Sequence, residues 1–141
     1  MIELADTSAW IWSRRRAYPQ LRQAFDTALV DVALATCEMV RLELLYSARN
    51  PEEFAEIREE LAALPDCPIA PEQWRRALWV YEQLSGRGGA HHRSVKHPDL
   101  LIAATAEAAG VTVLHYDEDY DRIAEVTGQP TRWLAPAGSL R

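Results

Sequence analysis

The chain has 141 residues, the usual length of one domain, and we predict a single domain over residues 1–141. Hydrophobic residues make up 48% and charged residues 26%, a globular composition that excludes a disordered or fibrous protein. The formal net charge of −6 argues against loose, charge-driven binding of nucleic acid. It leaves open an enzyme that meets phosphates through bound metal ions.

The termini and cysteines predict a reduced, cytoplasmic protein. Glu3 and Asp6 stand where a signal peptide carries basic residues, which argues against export. The longest uncharged run, residues 108–116, is far shorter than the roughly 18 apolar residues of a membrane helix. Cys37 and Cys67 lie too far apart for a metal or redox motif. We therefore expect no membrane partner.

In chain order, the first half predicts a strand, two helices, a strand and two helices. The strands are residues 2–5 and 32–35. The helices are one through residues 10–12 that ends near 18, and those at 21–29, 39–48 and 51–64. Thr36 is a candidate cap for the helix that follows the second strand. Asn50 and Pro51 are typical of the start of the next helix.

The second half predicts two further helices, a strand, a short helix and a last strand. The long elements are helices at 71–86 and from Pro98 to a stop at Gly110, with strands at 111–115 and 131–134. Strands that alternate with helices indicate a parallel sheet, because parallel strands need crossover connections. The predicted fold class is α/β, a three-layer α/β/α sandwich with a mainly parallel central sheet.

Four carboxylates lie where ligands bind in such folds, near the carboxyl ends of strands. Asp6 ends the first strand, and Asp117 follows the strand at 111–115. Asp99 lies in the first turn of the helix leading into that strand, and Glu43 lies in the helix after the second strand, with mainly apolar neighbours. Each aspartate also has an ordinary structural role open to it, as a helix cap, a helix N-terminal charge or a turn residue.

Convergence of these groups would create repulsion that a divalent cation relieves. Oxygen ligands favour Mg²⁺ or Mn²⁺ over zinc, and one or two such ions in a carboxylate site are typical of phosphodiester hydrolysis.

The chain resembles the PIN-domain ribonucleases, and most of all the VapC toxins of type II toxin–antitoxin pairs. The resemblance runs from residue 1 to residue 134. It rests on four segments in the family's order and spacing, which are Asp6-Thr7-Ser8, VRLELL around Glu43, KHPDLLIAA around Asp99 and LHYDEDY around Asp117.

The resemblance implies a Mg²⁺- or Mn²⁺-dependent endoribonuclease that cleaves structured RNA, such as transfer or ribosomal RNA, and so blocks translation. It also implies a homodimer and a cognate VapB-like antitoxin that occupies the active-site groove. The family's acidic metal site matches Asp6, Glu43, Asp99 and Asp117. Asp119 matches a further acidic position and Ser8 a polar residue supporting the first aspartate. His115 departs from the Thr or Ser that many members carry, so it stays outside the catalytic set.

Other residues allow a functional and an ordinary interpretation. Residues 87–97 form a basic stretch in which Arg93 and Lys96 are candidate contacts for RNA phosphates, although solvated loops are often basic. The tryptophans could stack on bases or meet a partner, but helical spacing favours core packing for most of Trp10, Trp12, Trp74 and Trp79.

Two alternatives to the nuclease remain. A non-catalytic module that binds RNA or protein would gain nothing from negative charge near phosphates. A phosphoacceptor domain would need an acidic pair after the first strand, where Ala5 precedes Asp6 alone.

Overall fold

Four short parallel strands form the centre of the molecule in the computed structural model, which describes residues 1–87 and 95–141. The strands are β1 (Glu3–Ala5), β2 (Leu34–Ala35), β3 (Thr112–His115) and β4 (Thr131–Trp133). They lie in the order β2-β1-β3-β4, and each neighbouring pair is parallel. Leu4 of β1 pairs with Ala35 on one side and with Val113 on the other.

Seven helices among the described residues flank this sheet. They are α1 (Thr7–Ser13), α2 (Pro19–Val30), α3 (Glu38–Tyr46), α4 (Pro51–Ala62), α5 (Pro71–Gly86), α6 (His97–Ala109) and α7 (Asp119–Thr127). The predicted α/β/α fold class is confirmed. Within residues 1–87 and 95–141, no helix combines the length and the apolar character needed to span a bilayer.

Local sequence signals account for several helix boundaries. The helices α2, α4 and α5 each begin at a proline, whose fixed φ suits the first helical position. Asn50 caps α4 as predicted, because its side chain accepts a hydrogen bond from the Glu53 amide at 2.8 Å. Gly110 ends α6 in the left-handed conformation, with φ 70°, which a residue with a side chain rarely adopts.

Two predictions near the first strands are wrong. The first helix ends at Ser13 rather than near residue 18, because the chain turns there and Pro19 starts α2. Thr36 does not cap α3, whose N-cap is Cys37 without a side-chain hydrogen bond. Thr36 is instead buried and prolongs the line of β2, since its carbonyl accepts from the Cys67 amide at 2.8 Å.

The core includes both strand and helix side chains, but it takes fewer tryptophans than predicted. Trp10 is buried and packs edge-on against Phe25, with ring centroids 4.9 Å apart. Trp74 and Trp79 are 56% and 43% exposed, so the core packing expected for most of the four tryptophans is wrong for these two. The helix α5 buries Ala77, Val80 and Leu84 instead, the face that packs against α6 and α7.

Candidate metal centre and active site

Asp6 is fixed by the start of α1. The residue directly follows β1 and is the N-cap of α1, where its Oδ1 accepts from the Ala9 amide at 2.9 Å. The residue is only 2% exposed. The capping role that the sequence allowed is therefore real, and it holds a buried carboxylate at the carboxyl end of the central strand.

Ser8 ties Asp6 to the end of the neighbouring strand. Its hydroxyl lies 2.7 Å from Oδ1 and 2.9 Å from Oδ2 of Asp6, and it donates to this carboxylate. The same oxygen accepts from the Tyr116 amide at 2.9 Å, directly after β3. Ser8 thus contacts Asp6 and lies between the ends of β1 and β3, and its supporting role in a metal site stays a prediction.

Three carboxylates converge next to this point. Asp99 lies in the first turn of α6, Asp117 follows β3, and Asp119 begins α7. One oxygen of each lies within 4.8 Å of the other two. The Asp119 amide donates to Asp117 Oδ1 at 2.9 Å, which fixes these two residues relative to each other. We call Asp99, Asp117 and Asp119 the acidic cluster.

Lys96 places its ammonium on the acidic cluster. Its Nζ lies 2.7 Å from Asp117 Oδ2, 2.9 Å from Asp119 Oδ2 and 3.5 Å from Asp99 Oδ2. Its backbone amide also donates to Asp119 Oδ2 at 3.0 Å. Lys96 thus contacts carboxylates here. Its predicted contact with RNA phosphate stays a prediction, and Arg93 lies outside the described residues.

Tyr120 connects Asp6 to the acidic cluster, a role that the sequence reasoning missed. The side chain is completely buried, and its hydroxyl donates to Asp99 Oδ1 at 3.3 Å. The hydroxyl also forms a hydrogen bond with Asp6. The one available signal was its position inside the acidic run 117–121, where an aromatic residue beside ligand candidates could have been noted.

Glu43 lies outside the acidic cluster. It is partly buried in α3, and its Oε1 accepts from the Thr7 hydroxyl at 2.7 Å. Its surroundings are less apolar than its neighbours in sequence suggested, because Tyr46 is 90% exposed and Thr7 supplies a polar contact. Thr7 directly follows Asp6, so this hydrogen bond ties α3 to the segment that carries the first aspartate.

His115 lies behind the acidic cluster. Its Nδ1 accepts from the Asp117 amide at 3.1 Å, and its ring packs between Tyr120 and Trp133. Burial lowers the pKa of His115 to about 4, so the ring is neutral near pH 7. Its position fits an orienting contact to the Asp117 backbone, and its exclusion from the catalytic set stays a prediction.

The acids have unequal proton affinities because their surroundings differ. Burial raises the pKa of Asp6 to about 6, although hydrogen bonds from Ser8 and Ala9 act against the shift. Burial also raises the pKa of Asp99, and its hydrogen bond with Asp119 adds to the rise. Burial acts to raise the pKa of Asp119, but hydrogen bonds with Asp99 and Lys96 outweigh it and lower the pKa.

The acidic cluster fits a hard divalent cation. Asp99 Oδ2 is buried and receives no hydrogen bond. A carboxylate oxygen is also the kind of ligand that Mg²⁺ and Mn²⁺ prefer. Within the part of the chain that the structure describes, the close group of metal-ligating side chains consists of three carboxylates, without histidine or cysteine. This donor set favours Mg²⁺ or Mn²⁺ over zinc.

Comparison with known proteins identifies the family of this chain. Residues 4–126 match the PIN domain family. Over 140 residues the chain is 44% identical to ribonuclease VapC18 of Mycobacterium tuberculosis, covering 99% of this chain and 100% of that protein. The chain belongs to the VapC family of PIN-domain proteins. It is also 40% identical to ribonuclease VapC51 of the same organism, covering 97% of this chain and 96% of the relative.

Solved structures share the VapC fold. The chain matches DNA-bound VapBC from Salmonella typhimurium with a TM-score of 0.74 at 18% identity, covering 96% of this chain and all of that one. It matches VapBC-5 from Mycobacterium tuberculosis with a TM-score of 0.58 at 22% identity, covering 94% of this chain and 96% of the other. At these identities the likeness concerns the fold, and it agrees with the parallel sheet described above.

Proposed function

We propose that this VapC-family chain is a divalent-metal-dependent endoribonuclease, the toxin of a toxin–antitoxin pair. The observation that supports it best is the meeting of Asp99, Asp117 and Asp119 at the carboxyl ends of the strands, with Asp6 joined to them through Tyr120. Relatives with up to 44% identity over nearly the whole chain carry the name ribonuclease. A non-catalytic binder has no comparable explanation for buried carboxylates gathered where an anionic substrate would bind.

Asp99, Asp117 and Asp119 would hold the ion, Mg²⁺ or Mn²⁺, with Asp6 and Glu43 as the further predicted ligands; one ion or two would bind. When bound, such an ion lowers the pKa of a water and stabilises negative charge on phosphodiester oxygens.

The chain's own side chains prepare this site. Ser8 and the Ala9 amide hold the Asp6 carboxylate in one orientation, at 2.7 and 2.9 Å from its Oδ1. The Asp119 amide does the same for Asp117. Burial disfavours the charged form of Asp6 and raises its pKa to about 6. The protein alone therefore leaves the Asp6 carboxyl only partly ionised near pH 6.

The proposed substrate and partners are those that membership of the VapC family implies. Structured RNA, such as transfer or ribosomal RNA, is the proposed substrate. A VapB-like antitoxin is the proposed inhibitor, because VapBC assemblies are among the solved structures that share this fold. A homodimer, a single domain over residues 1–141 and a cytoplasmic location stay predictions.

The test is cleavage of total RNA by the purified full-length chain. Wild type with Mg²⁺ or Mn²⁺ should release discrete fragments, and excess EDTA should abolish them. Asp99→Asn and Asp117→Asn should lose more activity than the roughly 10- to 100-fold typical of residues that only support a ligand. Glu59→Gln, which neutralises an exposed carboxylate on α4, is the matched control and should cleave like wild type. Equal activity in all four proteins, or cleavage unaffected by EDTA, would contradict the proposal.

A further inference from the structure

Lys96 is the only lysine in the sequence; the other fourteen of its 15 basic residues are arginines. Its ammonium contacts all three members of the acidic cluster, at 2.7, 2.9 and 3.5 Å. Hydrogen bonds to Asp117 and Asp119 raise the pKa of Lys96, outweighing the opposing effect of burial. A fully charged ammonium therefore lies among carboxylates that would otherwise repel one another.

The ammonium and a divalent ion would compete for the same oxygens. Magnesium binds oxygen ligands at about 2.0–2.1 Å. An ion that shares Asp117 Oδ2 with the ammonium, which lies 2.7 Å from that atom, could be no more than about 5 Å from Nζ. Two cations this close repel each other strongly, since little water separates them.

The surroundings of Lys96 allow its side chain to leave. The side chain is 59% exposed, whereas those of Asp99 and Asp119 are 7% and 3% exposed. The Lys96 backbone amide holds Asp119 Oδ2 at 3.0 Å independently of the ammonium. Departure of the ammonium would thus leave the carboxylates in position while it moved into solvent.

The ammonium leaves one oxygen of the acidic cluster, Asp99 Oδ2, without a hydrogen bond. This oxygen is buried and accepts no hydrogen bond, and the ammonium approaches it only to 3.5 Å. A lysine nitrogen has three donors, and two of them are directed to Asp117 and Asp119. The cluster therefore retains a ligand atom that an ion could use and that Lys96 leaves without a hydrogen bond.

We propose that Lys96 is an internal counter-cation, which holds the acidic cluster together in the metal-free protein and is displaced when a divalent ion binds. The inference rests on the proposed metal site and adds a competitor for it within the same chain. Its consequence is that metal affinity is lower than the carboxylates alone would give, and that binding of the ion frees the one lysine beside the site.

The first experiment observes Lys96 directly in the full-length protein. Lysine labelled with ¹³C at Cε gives one side-chain signal in the NMR spectrum, because the sequence contains one lysine. Saturating Mg²⁺ should move this signal and narrow it as the side chain becomes mobile. Sodium chloride at equal ionic strength is the control for screening and should leave it in place. An unchanged lysine signal in protein that binds Mg²⁺ would overturn the proposal.

The second experiment measures Mn²⁺ binding by titration calorimetry. Lys96→Met should bind Mn²⁺ about tenfold more tightly than wild type, a coupling in the usual range for two competing ligands. Arg75→Met removes the same charge from α5, where Arg75 pairs with Glu72 at 3.9 Å, and should bind like wild type. Equal affinity in the Lys96 and Arg75 variants would overturn the counter-cation.

The two experiments separate this inference from the proposed function. If neither wild type nor Lys96→Met binds Mn²⁺, the metal site itself is wrong. If both bind it equally and the lysine signal does not move, the metal site stands and the counter-cation is wrong. Should Lys96→Met fail to fold, the NMR titration of the wild type still decides, since it needs no substitution.

Discussion

The hydroxyl of Tyr120 donates a hydrogen bond to Asp99 Oδ1 at 3.3 Å, and both residues are buried. Tyr120 also contacts Asp6, so one phenol joins the carboxylate after β1 to the carboxylate on α6. Burial raises the pKa of Tyr120, and the nearby Asp6 and Asp99 carboxylates add to the rise, so the hydroxyl keeps its proton near pH 7. Its single O–H can therefore donate to only one acid at a time.

Tyr120→Phe should destabilise the metal-free protein, because it removes the donor without filling its space. The expected loss is about 1–3 kcal/mol, the range for leaving a buried partner without its hydrogen bond. Urea unfolding in EDTA measures it. Tyr46→Phe, which removes a hydroxyl from a residue that is 90% exposed, is the control. Identical unfolding midpoints for both variants would show that the Tyr120 contact contributes nothing.

Asp6→Asn should change how stability depends on pH. In the folded, metal-free protein the pKa of Asp6 is about 6, above its usual value of 3.8, because the side chain is buried. Between these values the folded state binds more protons than the unfolded chain, so the contribution of Asp6 to stability falls as pH rises. The asparagine keeps the cap of α1 and has no charge to bury.

The stability of Asp6→Asn relative to wild type should therefore rise between pH 4 and pH 6 and level off above pH 6. The full gain is at most about 3 kcal/mol, the equivalent of the shift in pKa. Unfolding in urea with EDTA at four pH values between 4 and 8 would measure it. A stability difference that is constant across this range would contradict the raised pKa. Addition of Mg²⁺ above pH 6 should reverse the order of stability, so that wild type becomes more stable than Asp6→Asn.

Ser8→Ala should reduce RNA cleavage by roughly 10- to 100-fold, the usual effect of removing a residue that orients a ligand. The substitution removes the donor to Asp6 and leaves the Tyr116 amide without its acceptor. Ser8→Thr keeps the hydroxyl and should restore most of the activity. Ser85→Ala removes an exposed hydroxyl that bonds only within α5 and should have no effect. Full activity of Ser8→Ala would assign Ser8 a purely structural role.

Glu43→Gln tests whether Glu43 helps to bind the metal ion, because the structure places this residue outside the acidic cluster. The loss of activity should be about tenfold smaller than the loss caused by Asp99→Asn, because Glu43 lies outside the acidic cluster and already accepts a hydrogen bond from Thr7. The loss should diminish at high Mg²⁺ concentration if Glu43 contributes to binding of the ion. Glu38→Gln, an exposed carboxylate on the same helix, is the control. A loss as large as that of Asp99→Asn, unaffected by Mg²⁺, would place Glu43 in the chemical step.

Some positions were predictable because the signal is local. Asn50 before Pro51 and Gly110 after α6 mark helix ends through the conformations of single residues, and the structure bears both out. Core packing fails for Trp74 and Trp79 on α5, because helical spacing gives the width of an apolar face but not its centre. The face at Ala77, Val80 and Leu84 is buried, since α6 and α7 approach there, and Trp74 is left exposed.

The order of strands and helices, the candidate acids and the family were all readable in the sequence, because periodicity, capping residues and short motifs are properties of neighbouring positions. Which acids meet was decided only by the tertiary structure. Asp99 and Asp117 come together because α6 leads into β3, whereas Lys96 and Tyr120 join them through contacts between elements that the sequence alone does not orient. A side chain's pKa and its partners depend on distances between separate elements, and folding alone sets those distances.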